Sequence, residues 1–155
     1  MILYKLIAGF IFLTFTSNCF SQEKYSYKAI LTYKKIGKTF INRSINDTTW
    51  RTYLGTISDS KGKAKYYVIK EFNKIRAAAT WHGHSNIFFF DRQNKLAARI
   101  DVSMPYNLPY NLNNNVFFFK YTEKGEAKVF KMKVGIPLPK TFCTRPDWCD
   151  LIIYE

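Results

Sequence analysis

A chain of 155 residues, 47% hydrophobic and 23% charged, has room for a real core and lacks the composition of a disordered or fibrous protein. Its formal charge of +13 favours an anionic surface, a polysaccharide or an acidic protein as partner. It has no zinc-finger spacing, aromatic RNP-type sequence, phosphate loop, Gly-x-Ser-x-Gly elbow or His-Glu-x-x-His, which argues against specific nucleic-acid binding and the commonest hydrolase designs.

The first residues, MILYKLIAGFIFLTFTSNCFSQ, carry one positive charge at Lys5, an apolar run from Leu6 to Phe15, and then small and polar residues. That is the layout of a secretory signal peptide. The run falls short of the roughly 20 apolar residues of a bilayer span. Cleavage is expected after Ser21, so residues 1–21 are read as the signal peptide and 22–155 as a single all-β domain with no transmembrane span. Lipidation at Cys19 is the lesser alternative, because Asn18 stands where that pathway takes a small residue. Loss of Lys5 leaves 23 basic against 11 acidic side chains, a formal charge of +12 on a protein exported to the periplasm, the cell surface or the medium.

Apolar residues in the mature chain recur mostly at a spacing of two, the period of a half-buried strand. In SYKAILTY this sets Tyr27, Ala29, Leu31 and Tyr33 on one side, with Ile30 out of pattern. In LAARIDV, Leu96, Ala98, Ile100 and Val102 share a face, and in EAKVFKMKV, Phe130, Met132 and Val134 do. Polar turns around Gly37, Gly62, residues 91–95 and Gly125 join neighbouring runs as hairpins. Strands are expected near 25–34, 38–45, 50–57, 64–72, 74–81, 86–91, 96–102, 115–121, 126–134 and 150–154. The fold class is therefore all-β: an antiparallel meander of hairpins closing as a β-sandwich or β-barrel.

Two stretches echo each other, NIFFFDRQNKL from Asn86 and NVFFFKYTEKG from Asn115, as two similar hairpins in one sheet would. Phe89 faces opposite to Phe88 and Phe90, so both faces of such a strand are apolar and both need cover, from the core or from a ligand or partner. Between the echoes, MPYNLPYNLNNN is a loop, since Pro105 and Pro109 cannot donate to a ladder. Tyr106, Asn107, Tyr110 and Asn111 are its candidate ligand-binding residues, offering flat rings and adaptable hydrogen bonds to a sugar or peptide. The plainer reading makes it a crossing loop whose tyrosines pack on the domain.

The two histidines stand in WHGHS, two positions apart. On a strand, His82 and His84 would share a face and could hold Zn²⁺ or Cu²⁺ with a third ligand such as Glu71, Asp91 or Asp101. One of them could instead serve as general base in a secreted hydrolase. The favoured reading is simpler: Gly83 and Ser85 mark a polar turn between strands, and the histidines are ordinary.

Near the C-terminus, Cys143 and Cys149 in CTRPDWC form an even pair and are expected to make a disulfide in an exported protein. The closed loop is short, so the chain-entropy model gives it about 2 kcal/mol. The sequences NRS at 42–44 and NDT at 46–48 match the N-glycosylation pattern, which matters only in a eukaryotic secretory route. The leading functional expectation is an exported, non-enzymatic binding or structural domain acting at the cell envelope or outside the cell. The alternative is a metal-binding protein or secreted hydrolase using His82 and His84.

Overall fold

The computed structural model describes residues 26–155; the expected signal peptide, with Lys5 and Cys19, lies outside the described residues. The described chain is mostly β, and every strand pairing in it is antiparallel. Six strands form the main sheet in the order β1 (Thr39–Arg43), β2 (Asp47–Ser58), β3 (Ala64–Ala77), β4 (Thr80–Phe90), β5 (Leu96–Val102) and β11 (Ile153–Tyr154). A second sheet holds β6 (Asn111–Asn113), β7 (Val116–Glu123) and β8 (Glu126–Lys133), and a third pairs β9 (Thr141–Arg145) with β10 (Trp148–Leu151). Among the described residues no closed barrel forms.

One element departs in kind from expectation. Residues Tyr27–Tyr33 form a helix, α1, and not a strand. Ser26 caps it, its Oγ accepting from Ala29 N at 3.3 Å, and Lys34 ends it in the left-handed region at φ 46°. Tyr27, Ile30 and Leu31 stand at i, i+3 and i+4, so the residue that spoiled the alternation, Ile30, is buried by the helix together with Leu31.

Helix α1 lies on one face of the main sheet, packing Ile30 and Leu31 with Tyr53, Ile69, Phe88 and Phe90. The other face shares a larger core with the smaller sheets, in which Val68, Ile87, Phe89, Ala98 and Ile100 meet Leu112, Phe117, Phe119 and Phe142. The alternation within β4 divides its phenylalanines between these cores, which explains the apolar run: β4 is a central strand covered on both sides.

The echoing stretch is different. Strand β7 lies in another sheet from β4, and the two meet across the core, with Phe89 and Phe117 ring centroids 6.3 Å apart. In β7 only Phe117 and Phe119 are buried; Phe118 points outward and is half-buried. The strand is thus covered on one side, and the echo marks opposing layers.

Further departures have local causes. Strand β3 runs unbroken to Ala77, where two expected strands met near Asn73, and the chain turns at Ala78 with φ 54°. In β5 the register shifts opposite Phe89 and Phe90, so Ala97 is the extra residue and Leu96 leaves the face of Ala98 to pack on the helix side. The expected loop at 104–115 contains a short 3₁₀ turn at Pro105–Asn107 and strand β6, which returns to β7 through Asn114 and Asn115, both at positive φ. The Asn115 side chain bonds both backbone groups of Ser58, accepting from its N at 2.8 Å and donating to its O at 2.7 Å, and so ties the two larger sheets together.

The disulfide forms as expected. Cys143 on β9 and Cys149 on β10 are directly opposite, with Cα atoms 3.9 Å apart. A disulfide there fits an oxidising, exported environment.

Candidate functional site

His82 and His84 do not lie on a turn. They belong to β4, which runs through them to Phe90, and they pair across to Ile75 and Asn73 on β3. Alternation places both on one face, and both are exposed. The glycine between them has a packing reason: a Cβ at Gly83 would stand 2.9 Å from Cε2 of Phe72, whose ring stacks on Trp50 with centroids 5.2 Å apart. What reads as turn chemistry is a strand position kept bare for a neighbouring ring.

The three carboxylates considered as a third metal ligand are placed as follows. Glu71 is buried between Tyr27, whose hydroxyl donates to it at 2.5 Å, and Arg51, whose Nε donates at 2.6 Å. Burial, then the bond to Glu71, pushes the Tyr27 hydroxyl far above its ordinary pKa. Asp91 caps its own turn, accepting from the backbone N–H of Gln93 and Lys95. Asp101 lines a shallow cleft with His84, Arg99 and Asp150, and lies 3.8 Å from the Arg99 guanidinium. Burial pushes the Asp150 carboxyl above the usual range, while the bond from Trp148 Nε1 at 3.2 Å pulls the other way. Among the described residues, no three His, Cys, Asp or Glu side chains come together as a metal-binding group.

The other candidate set is brought to a groove of about 600 Å³ at the edge of the three-stranded sheet, lined among others by Tyr106, Asn107, Tyr110, Lys120, Tyr121 and Arg145. Tyr106 is 68% exposed; Tyr110, 44% exposed, packs on Phe118 with ring centroids 6.2 Å apart while still lining the groove. Asn107 is buried, its amide donating to Ser103 Oγ at 3.3 Å, and so shapes the groove from below. Asn111 sits on β6 opposite Phe118 and is not among the lining residues.

The loop is tied to the domain at two points and braced within itself. Lys70, reaching up from β3, donates to the Pro109 carbonyl at 2.9 Å, and burial draws its ammonium below the ordinary lysine pKa. Tyr110 N bonds Phe118 O at 2.9 Å, and Leu108 N closes the 3₁₀ turn on Pro105 O. A tethered loop presents its rings in one arrangement, which lowers the ordering cost of binding.

Two cations missed by local inspection complete the lining. Lys120 holds its ammonium 5.1 Å from the centroid of the Tyr110 ring. Arg145 comes from β9, with its Nε 3.1 Å from Asp147. Among the described residues, no carboxylate lines the groove. Beyond it, the outward face of the same sheet carries Phe118 under the Lys131 ammonium at 5.6 Å, and Lys133 opposite Val116. The repeated PYNL signalled the tyrosines; the cations arrive through strand pairing and were not legible beside them.

No family model, curated protein or solved structure matches the chain. The reading of this groove therefore rests on its own residues.

Proposed function

We propose that the protein is an exported, non-enzymatic binding module acting at the cell envelope or outside the cell, and that its groove receives an anionic polysaccharide. The observation that carries the reading is that exposed Tyr106 and Tyr110 share one groove with Lys120 and Arg145, and that among the described residues no carboxylate lines it. Flat aromatic rings suit the C–H faces of sugar rings, and adjacent cations suit carboxylate or sulfate substituents. The tethering of the loop by Lys70 and Tyr110 supports a preformed site. The formal charge adds long-range attraction to a polyanion, screened over about 10 Å at 0.1 M salt.

The test compares binding of a uronate-rich polysaccharide and a neutral glucan by the protein and by its Tyr106→Ala and Tyr110→Ala variants. The reading expects preference for the polyanion and a loss of about 1–2 kcal/mol for each truncated ring, the size of a moderate interface hot spot. Equal binding of both glycans, or variants that bind the polyanion as the parent does, would contradict it.

A further inference from the structure

The main sheet extends past the described elements that cover it. Residues 75–84, the end of the β3–β4 hairpin, are exposed throughout, as are 41–46 at the β1–β2 end. These two ends lie side by side, because Arg76 N donates to Asn46 O at 2.8 Å and Asp47 pairs with Ile75. Their outermost residues are apolar: Ile45, 91% exposed, stands at one turn, and Ala77, Ala78 and Ala79 form the other. Just behind them are exposed Ile75 and Trp81.

Cations line one face of the sheet behind this apolar end. Arg43, Thr48, Lys74 and Gly83 form one cross-strand row, and two positions further out, on the same face, Arg76 pairs with Trp81. The Lys74 ammonium lies 4.8 Å from the Trp81 ring centroid. Within residues 41–47 and 74–84 the single carboxylate is Asp47, whose register partner Ile75 faces opposite to Lys74 and Arg76. An apolar tip, a tryptophan at its collar and cations along one face of the sheet match the layering of a bilayer surface: acyl boundary, interface and anionic headgroups.

We infer that this end of the sheet docks the protein onto an anionic lipid surface, with Ile45 and Ala77–Ala79 entering the headgroup boundary and Arg43, Lys74 and Arg76 on the phosphates. A second copy is the other evident occupant. A two-fold contact would set the patch against itself and bring these cations against their own counterparts, which disfavours it. The surface is separate from the groove, so the two functions fail independently.

The experiment is co-sedimentation of the exported protein with phosphatidylglycerol-containing vesicles and with phosphatidylcholine vesicles. It is repeated for Ile45→Ser with Trp81→Ser, for Arg43→Ala with Lys74→Ala, and for the groove variant Tyr106→Ala with Tyr110→Ala. All four proteins share the same N-terminal segment, so differences report on the sheet end alone. The expected result is binding at least about tenfold tighter to the anionic vesicles, weakened about tenfold or more by either sheet-end variant and unchanged by the groove variant. Equal affinity for the two vesicle types, no binding to either, or sheet-end variants that bind like the parent would overturn the inference. So would sedimentation velocity showing a dimer that those variants dissociate.

Discussion

Truncating Phe89 to alanine tests the claim that β4 is the strand around which the layers assemble. The side chain is fully buried, and its ring meets Phe117 at 6.3 Å and Phe142 at 6.4 Å between centroids, both edge to face. Its neighbours across the sheet are Val68 and Ala98, neither long enough to fill the space it would leave. Phe→Ala at an enclosed site removes the transfer free energy of the ring and leaves a cavity, together about 3–5 kcal/mol. For a domain of this size that lowers Tm by about 10–25 °C. Phe118, at the matching place in the echoing stretch, is half-buried on an outward face, so Phe118→Ala should cost less than about 1.5 kcal/mol by the same area argument. Urea denaturation of both variants gives the two numbers. If Phe89→Ala costs under about 1 kcal/mol, or if the two substitutions cost the same, the layered reading of the two phenylalanine runs is wrong.

Other consequences follow from single features. Replacing Cys143 and Cys149 by serine should lower stability by about 2 kcal/mol while leaving the β4–β5 core intact, read as a shifted melt with unchanged far-ultraviolet dichroism. The Tyr53 hydroxyl is pushed up to about 12 by burial, with Tyr67 adding to it. Its folded pKa lies above the unfolded value of about 10, so its contribution is complete below pH 10 and is lost as pH rises toward 12, at up to about 1.4 kcal/mol per pH unit. Tyr53→Phe should flatten the alkaline fall in stability by that amount; an identical pH profile in parent and variant would refute the assignment. Lys70→Met removes both a desolvated ammonium and the tether to the Pro109 carbonyl. Global stability should change by less than about 1 kcal/mol, while amide exchange across residues 105–110 accelerates several-fold.

The legible part of the fold was the part written in strict alternation with turn residues between. Strand β5 and the hairpin around Gly125 fall where the pattern puts them. Helix α1 was hidden because Tyr27 and Leu31 satisfy a period of two and a helical spacing alike; Ser26 as a cap and Ile30 as the misfit were the residues that could have decided it. The WHGHS stretch misled for a non-local reason. Gly83 and Ser85 carry turn preferences, yet Phe72 lies over the glycine from the next strand, and no local pattern reports that contact. The bulge at Ala97 likewise depends on what β4 offers across the sheet. In the groove, the tyrosines were visible as aromatic residues between prolines. Lys120 and Arg145 reach it only through the β7–β8 hairpin and the C-terminal strands, 10 and 35 residues beyond Tyr110.

The most direct measurement of the central claim is a map of backbone amide shifts on titrating the isotope-labelled protein with an anionic oligosaccharide. The account predicts saturable shifts at Tyr106, Asn107, Tyr110, Lys120 and Arg145, reduced by added salt and absent with a neutral oligosaccharide of equal length. Shifts scattered over the lysines of every strand without saturation, or a saturable cluster at His84, Asp101 and Asp150 instead, would contradict it.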